Sequence, residues 1–275
     1  MYFSLVLFSN ILFFFSLFWG SFLGFWLSLE LAMLLLIPCF FYYNSNNNVY
    51  LSLLNYVIIA SLSSCLLISG LLVGLNEWFL LASFIIKVGL FPFYNWFFYL
   101  INNLNWFMIF SLAVVSKIVF FYFLNFSFSS NILNFVLLYF TVNFLVLSLL
   151  ISYMVFDIKS FYIFSSISSS ILFLYLLFFG SSLSLYTLYA VYFIISCFVL
   201  ISFYFFCFNH VNIVSLCLVL GVPFSLYIFY KGFSILFLLP FNNYLFILFW
   251  ILYSILEQII LFNILLEAFY LKISV

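Results

Sequence analysis

The run Ile171-Leu172-Phe173-Leu174-Tyr175-Leu176-Leu177-Phe178-Phe179 has no alternation of polar and apolar residues, and Ile194–Phe206 has none either. A barrel strand in a membrane alternates a lipid-facing apolar residue with a lumen-facing polar one, so these runs provide no lumen face. A helix pairs its backbone groups internally and needs no such alternation. Helices are therefore the expected elements, and composition decides what surrounds them.

Hydrophobic residues make up 71% of the 275-residue chain and charged residues 4%, against roughly 45–50% and roughly 25% in soluble domains. With 47 Phe, 21 Tyr, one His and no Arg, there are too few polar side chains to clothe a water-facing surface, so lipid must do so. The fold expected is an all-α polytopic membrane bundle, a single domain over 1–275. At about 20 residues per span, Asn, Ser, Gly and Pro punctuation divides the chain into about ten lengths, near 2–21, 23–43, 50–73, 78–99, 105–124, 132–155, 161–180, 185–207, 211–238 and 242–266. The connectors, such as Asn44–Asn48 and Ile101–Asn105, are too short for a soluble domain, which excludes a dinucleotide-binding fold.

The N-terminus lacks the basic residues and cleavage signature of a signal peptide and the arginines of an organelle presequence. Cys39, Cys65, Cys197, Cys207 and Cys217 have neither metal-ligand spacing nor the loop setting of disulfides and read as small buried apolar residues. With only Lys272 in a tail, basic residues do not specify orientation.

The ionisable residues carry the most information. Glu30 stands inside Trp26-Leu27-Ser28-Leu29-Glu30-Leu31-Ala32-Met33-Leu34, and Lys117 lies about 16 Å along a helix from Trp106. A charge at bilayer depth costs about 3 kcal/mol or more on insertion scales. Glu30, Lys87, Lys117 and Lys231 must therefore face the bundle interior, where they pair or meet water. Static salt bridging and proton handling are both open for them, and Lys87 and Lys117 could also snorkel to the interface. An acid beside a desolvated lysine makes an electrostatic switch, because the carboxylate's charge sets how readily the lysine gives up its proton.

Backbone punctuation adds a second pattern. Lys87-Val88-Gly89-Leu90-Phe91-Pro92-Phe93 and Leu220-Gly221-Val222-Pro223-Phe224, the latter followed by Lys231, each set Gly and Pro inside an apolar run. Pro removes a helical hydrogen bond and bends the helix. Two discontinuous helices with lysines, one in each half, are the arrangement of transporters with inverted repeats; simple kinks are the alternative. Trp96 and Trp106 read as interfacial belt residues, Asp157 and Lys159 as a local ion pair, and His210 as an interfacial hydrogen-bonding residue. Glu257 and Glu267 read as terminal surface groups, and the Asn125-Phe126-Ser127 sequon as chance.

These motifs together resemble the subunit 2 family of mitochondrial NADH:ubiquinone oxidoreductase, respiratory complex I, in a shortened, Phe-rich, nematode-like form. Lys87 through Trp96 is similar to the family's K-x-G-x-x-P-F-H-x-W, with Tyr94 in place of His. Trp26 through Glu30 resembles W-x-G-L-E, with Ser28 for Gly. Trp106 through Lys117 resembles the stretch from Trp to Gln-Lys, with Ser116 for Gln. Lys159 and Ser165-Ser166-Ile167 resemble L-R-K-x-x-A-Y-S-S-I with one basic residue, and Gly221-Val222-Pro223 to Lys231 keeps the G-L-P to Lys spacing.

The resemblance runs from about residue 26 to 231. It implies an antiporter-like, proton-translocating translocase subunit in which Glu30 and Lys87 form the switch, Lys117 a relay and Lys231 the second broken-helix lysine. It also implies that this chain binds no cofactor, while the assembly uses NADH, FMN, iron–sulfur clusters and ubiquinone in electron transport. Its partners would be other membrane-arm subunits and lipids, not nucleic acid. Location in the mitochondrial inner membrane and synthesis inside the organelle follow from the same likeness. A free-standing secondary transporter for a cation or small solute, and a structural scaffold, remain alternatives.

Overall fold

The computed structural model describes residues 2–41, 47–72, 76–125, 128–154, 158–208, 226–241 and 243–273. The described elements are all helical: α1 (Tyr2–Phe15), α2 (Phe22–Phe40), α3 (Asn47–Leu72), α4 (Glu77–Val88), α5 (Tyr94–Asn103), α6 (Trp106–Ala113), α7 (Val119–Tyr122), α8 (Ser130–Met154), α9 (Ile158–Phe179), α10 (Ser182–Phe208), α11 (Leu226–Leu238) and α12 (Tyr244–Ile273). Six are long and apolar enough to cross a membrane: α2, α3, α8, α9, α10 and α12. Shorter apolar stretches cover Tyr2–Phe18, Trp106–Tyr122 and Phe229–Phe241. The chain is a polytopic all-α membrane protein; among the described residues six helices have spanning length where about ten were expected, and the lengths expected over 78–99 and 105–124 are each broken.

Large apolar side chains stand exposed along the long helices, among them Leu31, Leu62, Leu138, Leu183 and Leu248. In water such a surface would aggregate; in a bilayer it is the lipid-facing coat. The fold divides into two compact units, Met1–Asn134 and Phe135–Val275.

In the first unit α1 packs on α2, and α3 packs on α4 and α5. Phe25 of α2 stacks on Tyr122 with ring centroids 3.8 Å apart, and Phe84 meets Phe123 edge to face at 4.9 Å. The expected break after Lys87 is present. Gly89 has φ +72°, in the left-handed region, and Leu90 N–H donates to Ile85 O, which closes α4 as a Schellman turn. A turn through Pro92, with the Phe91–Pro92 peptide cis, then leads into α5. The second expected break, at Gly221 and Pro223, lies outside the described residues.

An interruption not expected from sequence falls at Lys117. A 3₁₀ turn, Val115–Ile118, separates α6 from α7, and Ser116 Oγ donates back to Leu112 O. Such a back-bond competes with the helical ladder and bends helices.

The second unit is built around α9. Its spanning window is 89% buried, against 33–39% for those of α8, α10 and α12, so α9 is the central helix. It is also the most serine-rich, with Ser165, Ser166, Ser168, Ser169 and Ser170 each donating to a carbonyl three or four residues earlier. Small residues let neighbouring helices approach closely, which is how helices associate in lipid without a hydrophobic driving force. Tyr175 stacks on Phe246 of α12 at 4.1 Å, and its hydroxyl accepts from Asn243 Nδ2 at 2.6 Å.

Glu77, at the start of α4, caps α8. Its Oε2 accepts from both the backbone N–H and the Oγ of Ser129, each at 2.8 Å, while Ser129 O receives Leu133 N–H of the first turn. A charged acceptor on orphan donors stabilises a helix start.

Two glycine substitutions should have opposite signs in detergent unfolding titrations. Gly89→Ala places a Cβ 3.1 Å from Phe97 Cβ in a left-handed conformation and should cost about 1–2 kcal/mol. Gly232→Ala meets no atom within 4 Å and should be neutral or gain up to about 1 kcal/mol from helix propensity.

Candidate functional site

Each unit carries a lysine site. In the first, Lys87 occupies the last turn of α4, where the helix C-terminus favours a cation. It lines a cavity of about 30 Å³ together with Tyr56, Ser63, Trp96 and Ser116. Tyr56 donates its hydroxyl to Met33 O at 3.3 Å, tying α3 to α2 one turn beyond Glu30. Glu30 and Lys87 are not within ion-pair contact. Trp96, expected in an interfacial belt, turns its indole toward this cavity, with Nε1 buried; Trp106 is buried too.

Lys117 is only 5% exposed, and its neighbour Ser116 is a wall of the Lys87 cavity. Lys87 lines this cavity, and neither Glu30 nor Lys117 is among its lining residues; Gly89 and Pro92 shape the break that ends α4.

The second unit holds Lys231 of α11. Its Nζ donates to Glu257 Oε2 at 3.0 Å and to the Ser254 carbonyl at 2.9 Å, both on α12. The lysine side chain is 13% exposed and the glutamate 1%. This corrects the expectation that Glu257 is a terminal surface group. Placing Glu257 needed the knowledge that α11 packs on α12; its setting Ile255-Leu256-Glu257-Gln258-Ile259, an otherwise apolar run interrupted beside it only by Gln258, was the signal available. Glu267 keeps its expectation untested, since its side chain is not described, and Gly221, Pro223, Asp157 and His210 lie outside the described residues.

Lys231 and Glu257 border a cavity of about 50 Å³ lined also by Tyr162, Ser168, Tyr192 and Tyr253. By the space one water needs, this holds about three waters, and the Lys87 cavity about two. Four serines on its wall, Ser165, Ser168, Ser196 and Ser254, donate their hydroxyl hydrogens to carbonyls of their own helices. Among the described residues no group of three or more His, Cys, Asp or Glu converges on a metal position.

No protein-family model matches this chain, and no curated protein matches it.

The Lys231–Glu257 pair should show strong coupling in a double-mutant cycle followed by unfolding in mild detergent. Glu257→Leu alone should cost about 3 kcal/mol, the low end for a broken buried pair because the stranded lysine can shed its proton. Lys231→Met with Glu257→Leu should recover most of that loss. Additive losses would mean that the two side chains do not stabilise one another.

Proposed function

We propose that this chain is an antiporter-like, proton-translocating subunit in the membrane arm of a respiratory NADH:ubiquinone oxidoreductase. It acts in the mitochondrial inner membrane as one domain over 1–275, with inverted repeats related across its two halves. The observation that carries the proposal is the setting of Lys117. A nearly inaccessible amine sits in a broken helix of a lipid-coated unit, next in sequence to the wall of a cavity that holds Lys87.

A lysine kept this far from water is costly as a permanent cation. Static pairing would offset the cost for one lysine by one acid in contact, as at Lys231. Glu30 and Lys87 make no contact, which suits a switch better than a strut. When Glu30 is charged, Lys87 holds its proton more firmly; when Glu30 is neutralised, Lys87 releases it. Cavity water is the proton's route away from Lys87; Ser116, whose hydrogen is committed to Leu112 O, only accepts a hydrogen bond from it. Lys231 serves the corresponding position in the second half.

The chain itself carries out no redox step in this scheme. NADH oxidation through FMN and iron–sulfur clusters and the reduction of ubiquinone occur in other subunits, and the apolar outer surfaces of the helices meet lipids and neighbouring membrane-arm subunits.

Replacing Lys117 with Met should abolish redox-driven proton uptake in reconstituted vesicles while native gels still show the assembled complex. Full pumping in that variant would reduce the buried lysines to structural elements. Glu30→Gln should slow quinone-linked turnover several-fold with assembly intact, read as NADH oxidation with and without an uncoupler. Purification of the chain alone, without flavin- and iron–sulfur-bearing partners, would favour a free-standing transporter.

A further inference from the structure

Among the described side chains of the second unit, one acidic group, Glu257, is left unused by the scheme above. Glu257 is 1% exposed, engages Lys231 through Oε2 at 3.0 Å, and leaves Oε1 buried with no hydrogen-bond partner in the protein. The hydroxyl of Tyr230, beside Lys231 on α11, is likewise buried and unpartnered. Both residues line the cavity of about 50 Å³. Buried polar atoms are nearly always satisfied, by protein or by water, and the two residues that carry these orphaned oxygens both line a cavity large enough to hold water.

We infer that Glu257 is a proton-exchanging carboxylate of a second, hydrated site, with Lys231 as its internal counter-charge and cavity water as its route. This inference rests on the proton-translocating reading above and adds to it a residue and a step.

The step conserves charge. In the ion pair Lys231 is an ammonium and Glu257 a carboxylate. Transfer of one proton across the 3.0 Å contact breaks an Nζ–H bond, forms an Oε–H bond, and leaves a neutral amine beside a neutral acid. The net charge of the pair is zero before and after, so the transfer adds no charge to the membrane interior. The acid then gives its proton to cavity water, and the amine is reprotonated from the other side, which restores the ion pair. Without Glu257, each protonation of Lys231 would create an isolated cation at bilayer depth, the costly state.

The titratable groups facing the pair are Tyr162 from α9, Tyr192 from α10, Tyr230 from α11 and Tyr253 from α12. Their hydroxyls are neutral at ordinary pH, so Lys231 and Glu257 are the charged groups of the cavity. A tyrosine hydroxyl both donates and accepts, which lets this wall pass a hydrogen-bond chain without taking a charge of its own.

The test combines infrared difference spectroscopy on the full chain in nanodiscs with pumping by the assembled complex. On acidification, a carboxylic C=O band should appear that shifts in D2O and is absent from E257Q; the complex bearing E257Q should assemble but pump at least ten-fold more slowly. A D2O-insensitive band, no band, or E257Q pumping at the full rate would overturn the inference and leave Glu257 as a static counter-charge. Should E257Q fail to accumulate, E257D decides: a displaced band supports the assignment and an unchanged one removes it. The outcomes separate from those of the parent reading. A Glu257 band with full pumping in Lys117→Met sinks translocation by this chain, whereas a Lys117→Met defect without a Glu257 band sinks only the present inference.

Discussion

Hydrocarbon offers no hydrogen bonds, and every feature of this protein follows from that constraint. Backbone groups have to be satisfied within their own segment, so the described elements are helices. Hydroxyls have to be satisfied too, so the serines of α9 turn back on their own carbonyls. Charges are the hardest case, and the structure resolves it differently in its two units. In the first, Lys87 lies in the last turn of α4, at the negative end of the helix, and makes no ion pair. In the second, Lys231 and Glu257 close into a direct pair. A contact pair is robust until a proton moves within it.

How much of this could be read from the sequence depends on whether the signal was local. The helical class came from apolar runs that lack alternation, and the end of α4 came from Gly89 and Pro92, residues whose backbone preferences are intrinsic. Trp96 was harder. A tryptophan near a connector is ordinarily a membrane-interface residue, and only the packing of α3 on α5 turns its indole toward Lys87.

Two features escaped for physical reasons. The 3₁₀ turn at Lys117 contains neither Gly nor Pro; it depends on the Ser116 back-bond and on packing. Glu257 looked like a tail residue because its significance is tertiary, a matter of which residue on α11 faces it. The serine content of α9 was visible, but its centrality was not, since a helix apolar on all faces gives no periodic sign of which neighbours it has.

The serines on the wall of the Lys231 cavity have a chemical consequence of their own. Each has already committed its single hydrogen to the backbone, so it can offer only lone pairs inward. Four oxygens of this kind give the lining fixed acceptors for water or an ammonium head, so the donors of this wall are Lys231 and the tyrosine hydroxyls.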